Sequence, residues 1–349
     1  MIRGLRSLIG KVLGGRSASI VIALIVALVL LAVIHPKYYS TDNLRVILLN
    51  SSSVGIAAVA MALLLISARV DLSVGAIFAA GATGGAWLGT FLPAPIAILC
   101  GVGIGALIGL LNGLLVQRIR VSPIIVTLGT LTVIRGMLQA LTQGKGIRGV
   151  QPDFAEFGRA TPLGVPTQIW IMLALVIIGM IVLSRTTFGR YVYAIGGNAD
   201  AANIAGIRVH RILLGLFAFS GALAALAGVL TASRFRTATS TFGIGFELDV
   251  ITAVIMGGVA FSGGEGGIGG TLVAVVFLGV VNSGLIAVGV DPFYTDVVKG
   301  SALVISVGIE QLTQERRERY RKAIAMAEFA ALVADRQVAR PESPSETSS

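Results

Sequence analysis

The sequence predicts an all-α protein that crosses a membrane about ten times. Of its 349 residues, 55% are hydrophobic and 13% charged, with a mean hydropathy of +0.90, whereas soluble domains carry about 25% charged residues. Apolar runs close to the ~20 residues that a hydrocarbon core requires recur along the chain. Basic residues fall between those runs, with an excess on one side, as expected where cytoplasmic loops collect Lys and Arg.

The runs begin near residues 18, 43, 72, 95, 123, 167, 211, 250, 271 and 296. The first follows Arg3, Arg6, Lys11 and Arg16, as a signal peptide would. Only Ile34-His35-Pro36 comes after it, with no small-residue cleavage site, so it is assigned as a mature span. Thr41 or Asp42 opens the second run, and Pro93 and Pro95 turn the chain between the third and fourth. Ser122-Pro123 opens the fifth, Pro166-Thr167 the sixth and Asp291-Pro292 the tenth. Residues 263–270 are almost all glycine and could be a loop or a break inside the membrane.

An inside N-terminus places Arg69, Arg118, Arg120, Arg185, Arg190, Arg208 and Arg211 in the cytoplasm, against fewer cations outside, and ten crossings return the C-terminus to the same side. The expected organisation is a membrane domain over residues 1–312 and a basic cytoplasmic tail over 313–349. The tail carries Arg316, Arg317, Arg319, Arg321 and Lys322, suits contact with anionic membrane lipids, and ends in a disordered Pro341 to Ser349 stretch.

The net charge of +10 does not point to nucleic acid, because the cations punctuate apolar spans rather than cluster with aromatics. The lone Cys100 excludes a disulfide framework and a cysteine-based metal site. No residue is assigned to catalysis, to a metal or to a cofactor. The 45 glycines, well above the usual ~7%, include Gly101, Gly105, Gly109 and Gly113 at every fourth position and Gly81, Gly85 and Gly89 likewise. Each set is a smooth stripe for close helix contact.

Asp71-Leu72-Ser73-Val74-Gly75-Ala76-Ile77, ahead of Gly109 to Gly113, is echoed five spans later. There Leu248-Asp249-Val250-Ile251-Thr252-Ala253-Val254-Ile255 precedes Gly279-Val280-Val281-Asn282-Ser283-Gly284. An odd offset gives two copies of opposite orientation, the inverted repeat of transporters.

Residues 196–207 form the most distinctive hydrophilic segment. Asn198 can cap a helix, Asp200 suits its first turn, and Gly206 lies where a left-handed C-cap is expected. Gly196, Gly197, Asn198, Asp200, Ala202, Ala205 and Gly206 are therefore taken as a short cytoplasmic helix on which a motor protein docks.

Polar groups within or beside the spans supply the candidate path. Asp71, with Ser73, is expected at a cytoplasmic helix end and Asp249 at an outer one, either as N-terminal caps or as gating contacts. Arg135, about twelve residues into its span, could snorkel outward or line a polar conduit. Asn112, Thr127, Thr130, Thr132, Gln139 and Asn282 can hydrogen-bond solute hydroxyls or a neighbouring helix. No acid is expected at mid-span, which disfavours ion coupling. The chain also has no G-x-x-x-x-G-K-[ST] phosphate loop, so its engine must be a partner.

Several further motifs stand together. They are Asn112-Gly113-Leu114-Leu115, Pro123 to Thr130, Arg135-Gly136, Thr187-Phe188-Gly189-Arg190 with Gly196-Gly197-Asn198, Ala205-Gly206-Ile207, and Phe219-Ser220-Gly221. With Asp71 to Gly75, and over roughly residues 20–312, the chain resembles permease subunits of bacterial ABC sugar importers of the ribose, xylose and autoinducer-2 type, within the wider group of branched-chain amino acid permeases. The resemblance implies a Type II importer-like fold in the cytoplasmic (inner) membrane. It also implies a second permease subunit, identical or not, a cytoplasmic ABC ATPase on the helix Asn198 to Ile207, and a periplasmic or lipid-anchored sugar-binding protein. Relatives commonly show a glycine pair where this chain has Ala68-Arg69-Val70, and the basic tail is not part of the family pattern.

Other functions remain to be weighed. An intramembrane hydrolase is disfavoured because His35 and His210 lie at opposite rims, as do Asp71 and Asp249 in this topology. An amino-acid or nucleoside ABC permease and a self-sufficient secondary carrier are the remaining alternatives; ATP-independent transport would mark the latter.

Overall fold

A computed structural model describes residues 16–291, 294–305, 307, 308, 311 and 326; the tail over 313–349 lies outside the described residues except for Met326. Helix starts follow local chemistry. After α1 (Arg16–Ile34) and a 3-10 turn (Pro36–Tyr39), α2 (Thr41–Ile66) is capped by Ser40, whose hydroxyl accepts the Asn43 N–H. α3 spans Val74–Leu88 and α4 spans Ala94–Arg118, the latter entered from Pro93. α5 (Pro123–Thr142) starts on Ser122 with Pro123 in its first turn, where the missing N–H costs nothing.

The chain then forms α6 (Pro152–Arg159), a turn at Pro162–Gly164, α7 (Thr167–Arg185), α8 (Thr187–Gly197) and α9 (Ala199–Ile204). It continues with α10 (Val209–Phe235), α11 (Phe246–Met256) and α12 (Ile268–Ala287), and residues 294–305 are helical. Among the described residues, six helices are long and apolar enough to cross a membrane: α2, α4, α5, α7, α10 and α12.

Two expected spans are shorter than the sequence suggested. α3 has 15 residues and α11 has 11, about 22 and 16 Å at 1.5 Å per residue. The cause is a break beside each: residues 67–73 precede α3, and the glycine-rich residues 257–267 separate α11 from α12. In the second break Gly258, Gly263, Gly264 and Gly266 all take positive φ. The first turns of α3 and α11 meet at Gly75 and Glu247, and the Phe78 and Phe246 rings stand 4.6 Å apart. In the first break Ala68 adopts φ +57°, a left-handed turn reached without glycine. Such a turn strains an L-residue by roughly 1–2 kcal/mol.

α10 is the central helix, packed chiefly on α4 and α3 and also on α2 and α6. The glycine stripes make this possible. A Cβ on Gly221 would stand 2.0 Å from the Gly105 carbonyl oxygen, one on Gly109 would stand 2.2 Å from that of Phe217, and one on Gly81 would strike Ala225. α6 closes the end of the bundle remote from α8 and α9. Its Asp153 accepts the Ala94 N–H at 2.8 Å, and the Gly158 N–H donates to the Ser233 hydroxyl at 2.7 Å.

Candidate translocation and coupling site

Asp71 is fully buried, where a cytoplasmic helix end had been expected. It does not bond α3 as its cap; the cap position belongs to Ser73, which makes no side-chain cap bond. Asp71 instead forms an Asx turn, Oδ1 accepting the Ser73 N–H at 3.0 Å. The Ser73 hydroxyl donates to the same oxygen, and the Ser220 hydroxyl of α10 donates to Oδ2 at 3.1 Å. Burying a carboxyl is costly unless donors replace water, and three converge here.

The chain of bonds extends outward. The Asn112 amide of α4 donates to the Ser73 hydroxyl at 2.8 Å, and the Thr130 hydroxyl of α5 donates to the Asn112 carbonyl at 2.6 Å. Every hydroxyl and amide donation runs toward Asp71. One network thus joins α5, α4, the 67–73 break and α10. Asn112 stands six residues from the basic end of α4 and Ser220 eleven from the start of α10, so the network lies about 9–17 Å inside the helical layer. Asp71 itself lies in the 67–73 break, ahead of α3 rather than within a helix.

Arg135 is part-buried, and its guanidinium is spent on backbone carbonyls. Its Nη1 donates to the Ser240 carbonyl at 2.8 Å and to that of Phe242, and Nη2 donates to Gly75 at 3.3 Å. The guanidinium fork therefore pins the 237–245 segment to the first turn of α3. Glu247, absent from the sequence candidates, sits beside this junction. Its Oε2 is buried with no hydrogen-bond partner, and a Cβ on Gly75 would stand 2.0 Å from it. Its one sequence signal was an acid inside an apolar run.

The remaining candidates lie apart. Asp249, in the first turn of α11, pairs with Lys299 at 3.0 Å and caps nothing with its side chain; α11 starts on Gly245. Thr127 is buried but donates back to the Pro123 carbonyl within α5. Asn282 sits part-buried on α12 next to Ser283, which bonds Asn43. Thr130 and Ser220 join the network instead.

At the basic end, where Arg118, Arg120, Arg185, Arg190, Arg208 and Arg211 gather at the ends of α4, α7, α8 and α10, α9 has both expected caps. Asn198 accepts the Ala201 N–H at 2.9 Å. Gly206 takes φ +85°, with Gly206 N–H bonded to Asn203 and Ile207 N–H to Ala202, a Schellman closure. The exposed face differs from the one anticipated. Ala202 is buried, so Asp200, Ala201, Asn203, Ile204, Ala205 and Gly206 form the outward surface, with Ile204 87% exposed.

Gly196 also faces inward, a Cβ there falling 1.8 Å from the Ile66 carbonyl oxygen. That oxygen accepts the Gly264 N–H at 2.8 Å, and Tyr193 of α8 donates to the Gly266 carbonyl at 2.7 Å. The α8–α9 corner is therefore clamped to the end of α2 and to the 257–267 link, five residues before Asp71.

The chain is 36% identical over 298 residues to the ribose import permease protein RbsC of Escherichia coli K12, covering 84% of this chain and 93% of that protein. Against RbsC of Bacillus subtilis 168 the values are 37% over 293 residues, with 83% and 91% covered. Against the fructose import permease protein FrcC of Rhizobium meliloti they are 34% over 304 residues, with 83% and 84% covered. No solved structure gives a significant match. The family described as branched-chain amino acid transport system / permease component matches residues 43–307, so the chain belongs to that family.

Proposed function

We propose that the chain is the pore-forming subunit of an ATP-driven importer that moves a monosaccharide inward across the cytoplasmic membrane. The observation that carries the reading is the unbroken path from an exposed, rigidly capped α9 through Gly196 and Ile66 to the buried Asp71 network. A motor pressing on α9 moves the end of α2 and, with it, the break that α4, α5 and α10 grip. The names of the sugar-permease relatives support the substrate class.

In this reading α9 receives a cytoplasmic ABC ATPase, whose hydrolysis powers the cycle, and both termini lie in the cytoplasm. A periplasmic or lipid-anchored sugar-binding protein delivers substrate at the α6 end. The path follows α5, which exposes Gly129, Thr132, Gly136 and Gln139 on one side rather than a purely apolar surface. That side faces a second permease subunit. Ten crossings follow if α1, the short α3 and α11 and the helix over 294–305 are counted with the six long helices. The meeting of the first turns of α3 and α11 is what an inverted repeat would place at the centre.

Gentle-detergent purification from native membranes, with mass spectrometry and an ATPase assay, tests this directly. An associated ATPase stimulated by a sugar-loaded binding protein supports it. A chain that purifies alone and moves solute into vesicles without ATP makes it a carrier.

A further inference from the structure

The turn at Pro162–Gly164 presents Leu163 at 92% exposure and holds it at φ +54°, a conformation that L-residues rarely take. It is firmly built. Thr167 donates from both its N–H and its hydroxyl to the Ala160 carbonyl at 3.0 Å, and the Gly164 N–H donates to Thr161 at 3.0 Å. The Pro162 carbonyl accepts the Val165 N–H at 3.1 Å and the Trp170 indole N–H at 3.2 Å. An exposed apolar side chain on a pinned, left-handed turn needs an apolar environment to explain it.

Trp170 shows which one. It lies in the first turns of α7, on the same face as the exposed Ala174, Ile177, Ile178 and Ile181. That spacing is one continuous helical stripe. Because its indole bonds Pro162, the turn sits over the head of this stripe. α7 packs on α2, α8 and α12, whereas α5, the proposed side of the second subunit, packs on α3 and α4. The stripe is thus on a different wall of the bundle. The neighbouring α6 turns Glu156 and Arg159 outward, a face suited to water, while Asp153 bonds the start of α4.

We propose that Leu163 and the Trp170 ring form an anchor in the interfacial layer of the bilayer, at the α6 end of the molecule, where Trp is favoured. The turn sets the depth of α7 and leaves the polar face of α6 above the lipid. The proposal rests on α7 crossing the membrane.

The test uses nitroxide labels on the full chain in vesicles of mixed phosphatidylethanolamine and phosphatidylglycerol, with Cys100→Ser as background. Labels are placed through Leu163→Cys, Glu156→Cys and Ile178→Cys, and collisions with oxygen and with a water-soluble nickel chelate are compared. Oxygen is expected to dominate at 163 and 178, less strongly at 163, and the chelate at 156. Chelate dominance at 163 with oxygen dominance at 178 overturns the anchor while α7 still spans. Chelate dominance at both overturns the spanning reading itself. Shielding at 163 that appears only with added sugar-binding protein overturns the anchor in favour of a protein contact. Adding Trp170→Phe, which keeps a ring but removes the indole N–H, is expected to sharpen the spectrum at 163; an unchanged spectrum overturns the role given to the indole.

Discussion

The Gly264 N–H donates to the Ile66 carbonyl at 2.8 Å, and Gly196 packs against that same oxygen. One carbonyl at the end of α2 therefore serves both the 257–267 link and the corner before α9. Substituting Gly196→Ala forces these segments apart, because even a methyl carbon would stand 1.8 Å from the oxygen. The expected result is a large loss of sugar uptake with the protein still inserted. Gly197→Ala, with open space at its Cβ position, should leave uptake near normal; uptake in vesicles checks both.

The α9 surface predicts a separation of effects. Ile204→Asp alters an exposed contact and should weaken ATPase association without lowering the unfolding temperature. Ala202→Arg inserts charge into a buried position and should lower both. Gly206→Ala, at φ +85°, should cost roughly 1–2 kcal/mol by strain. Pull-down of the ATPase beside a thermal unfolding scan distinguishes the three.

Asn112 both donates to Ser73 and accepts from Thr130, so Asn112→Ala removes two interhelical bonds. Such bonds are worth about 0.6–1.7 kcal/mol each in membranes. A destabilisation of roughly 1–3 kcal/mol is expected, seen as a lower unfolding temperature in detergent.

Tight packing of α4 on α10 gives a sharp contrast between two glycines. Gly221→Ala places its Cβ 2.0 Å from the Gly105 oxygen and should abolish a monodisperse product. Gly103→Ala meets nothing within 4 Å and should be silent. Size-exclusion yield measures the difference.

Arg135→Lys replaces a fork that reaches three carbonyls with a single ammonium. The 237–245 segment should then exchange its amide hydrogens faster, while the α4–α10 core keeps its protection.

What the sequence disclosed was chiefly local. Ser122-Pro123, Pro93 and the Asn198 and Gly206 caps act through bonds within a few residues, so residue type and spacing suffice. The glycine stripes were equally legible, since a smooth face has one physical use first. The surroundings of Asp71 were not, because its environment comes from α4, α5 and α10, with Ser220 149 positions away. Arg135 was recognised as unusual, but its acceptors are backbone carbonyls, two of them more than a hundred residues downstream and one 60 residues upstream, which side-chain chemistry does not announce. The buried side of Ala202 was missed for a related reason: a six-residue helix has too few turns for a pattern to show its face.

The central claim is that motion at α9 is converted at the Asp71 network. The decisive measurement is ATP hydrolysis and sugar uptake recorded together in vesicles containing the chain, its ATPase and its binding protein. Asp71→Asn keeps the size of the side chain but leaves one of its hydroxyl donors without an acceptor. Hydrolysis should persist while sugar moved per ATP falls about tenfold, the effect of roughly 1.4 kcal/mol. An unchanged ratio of sugar to ATP would contradict the claim.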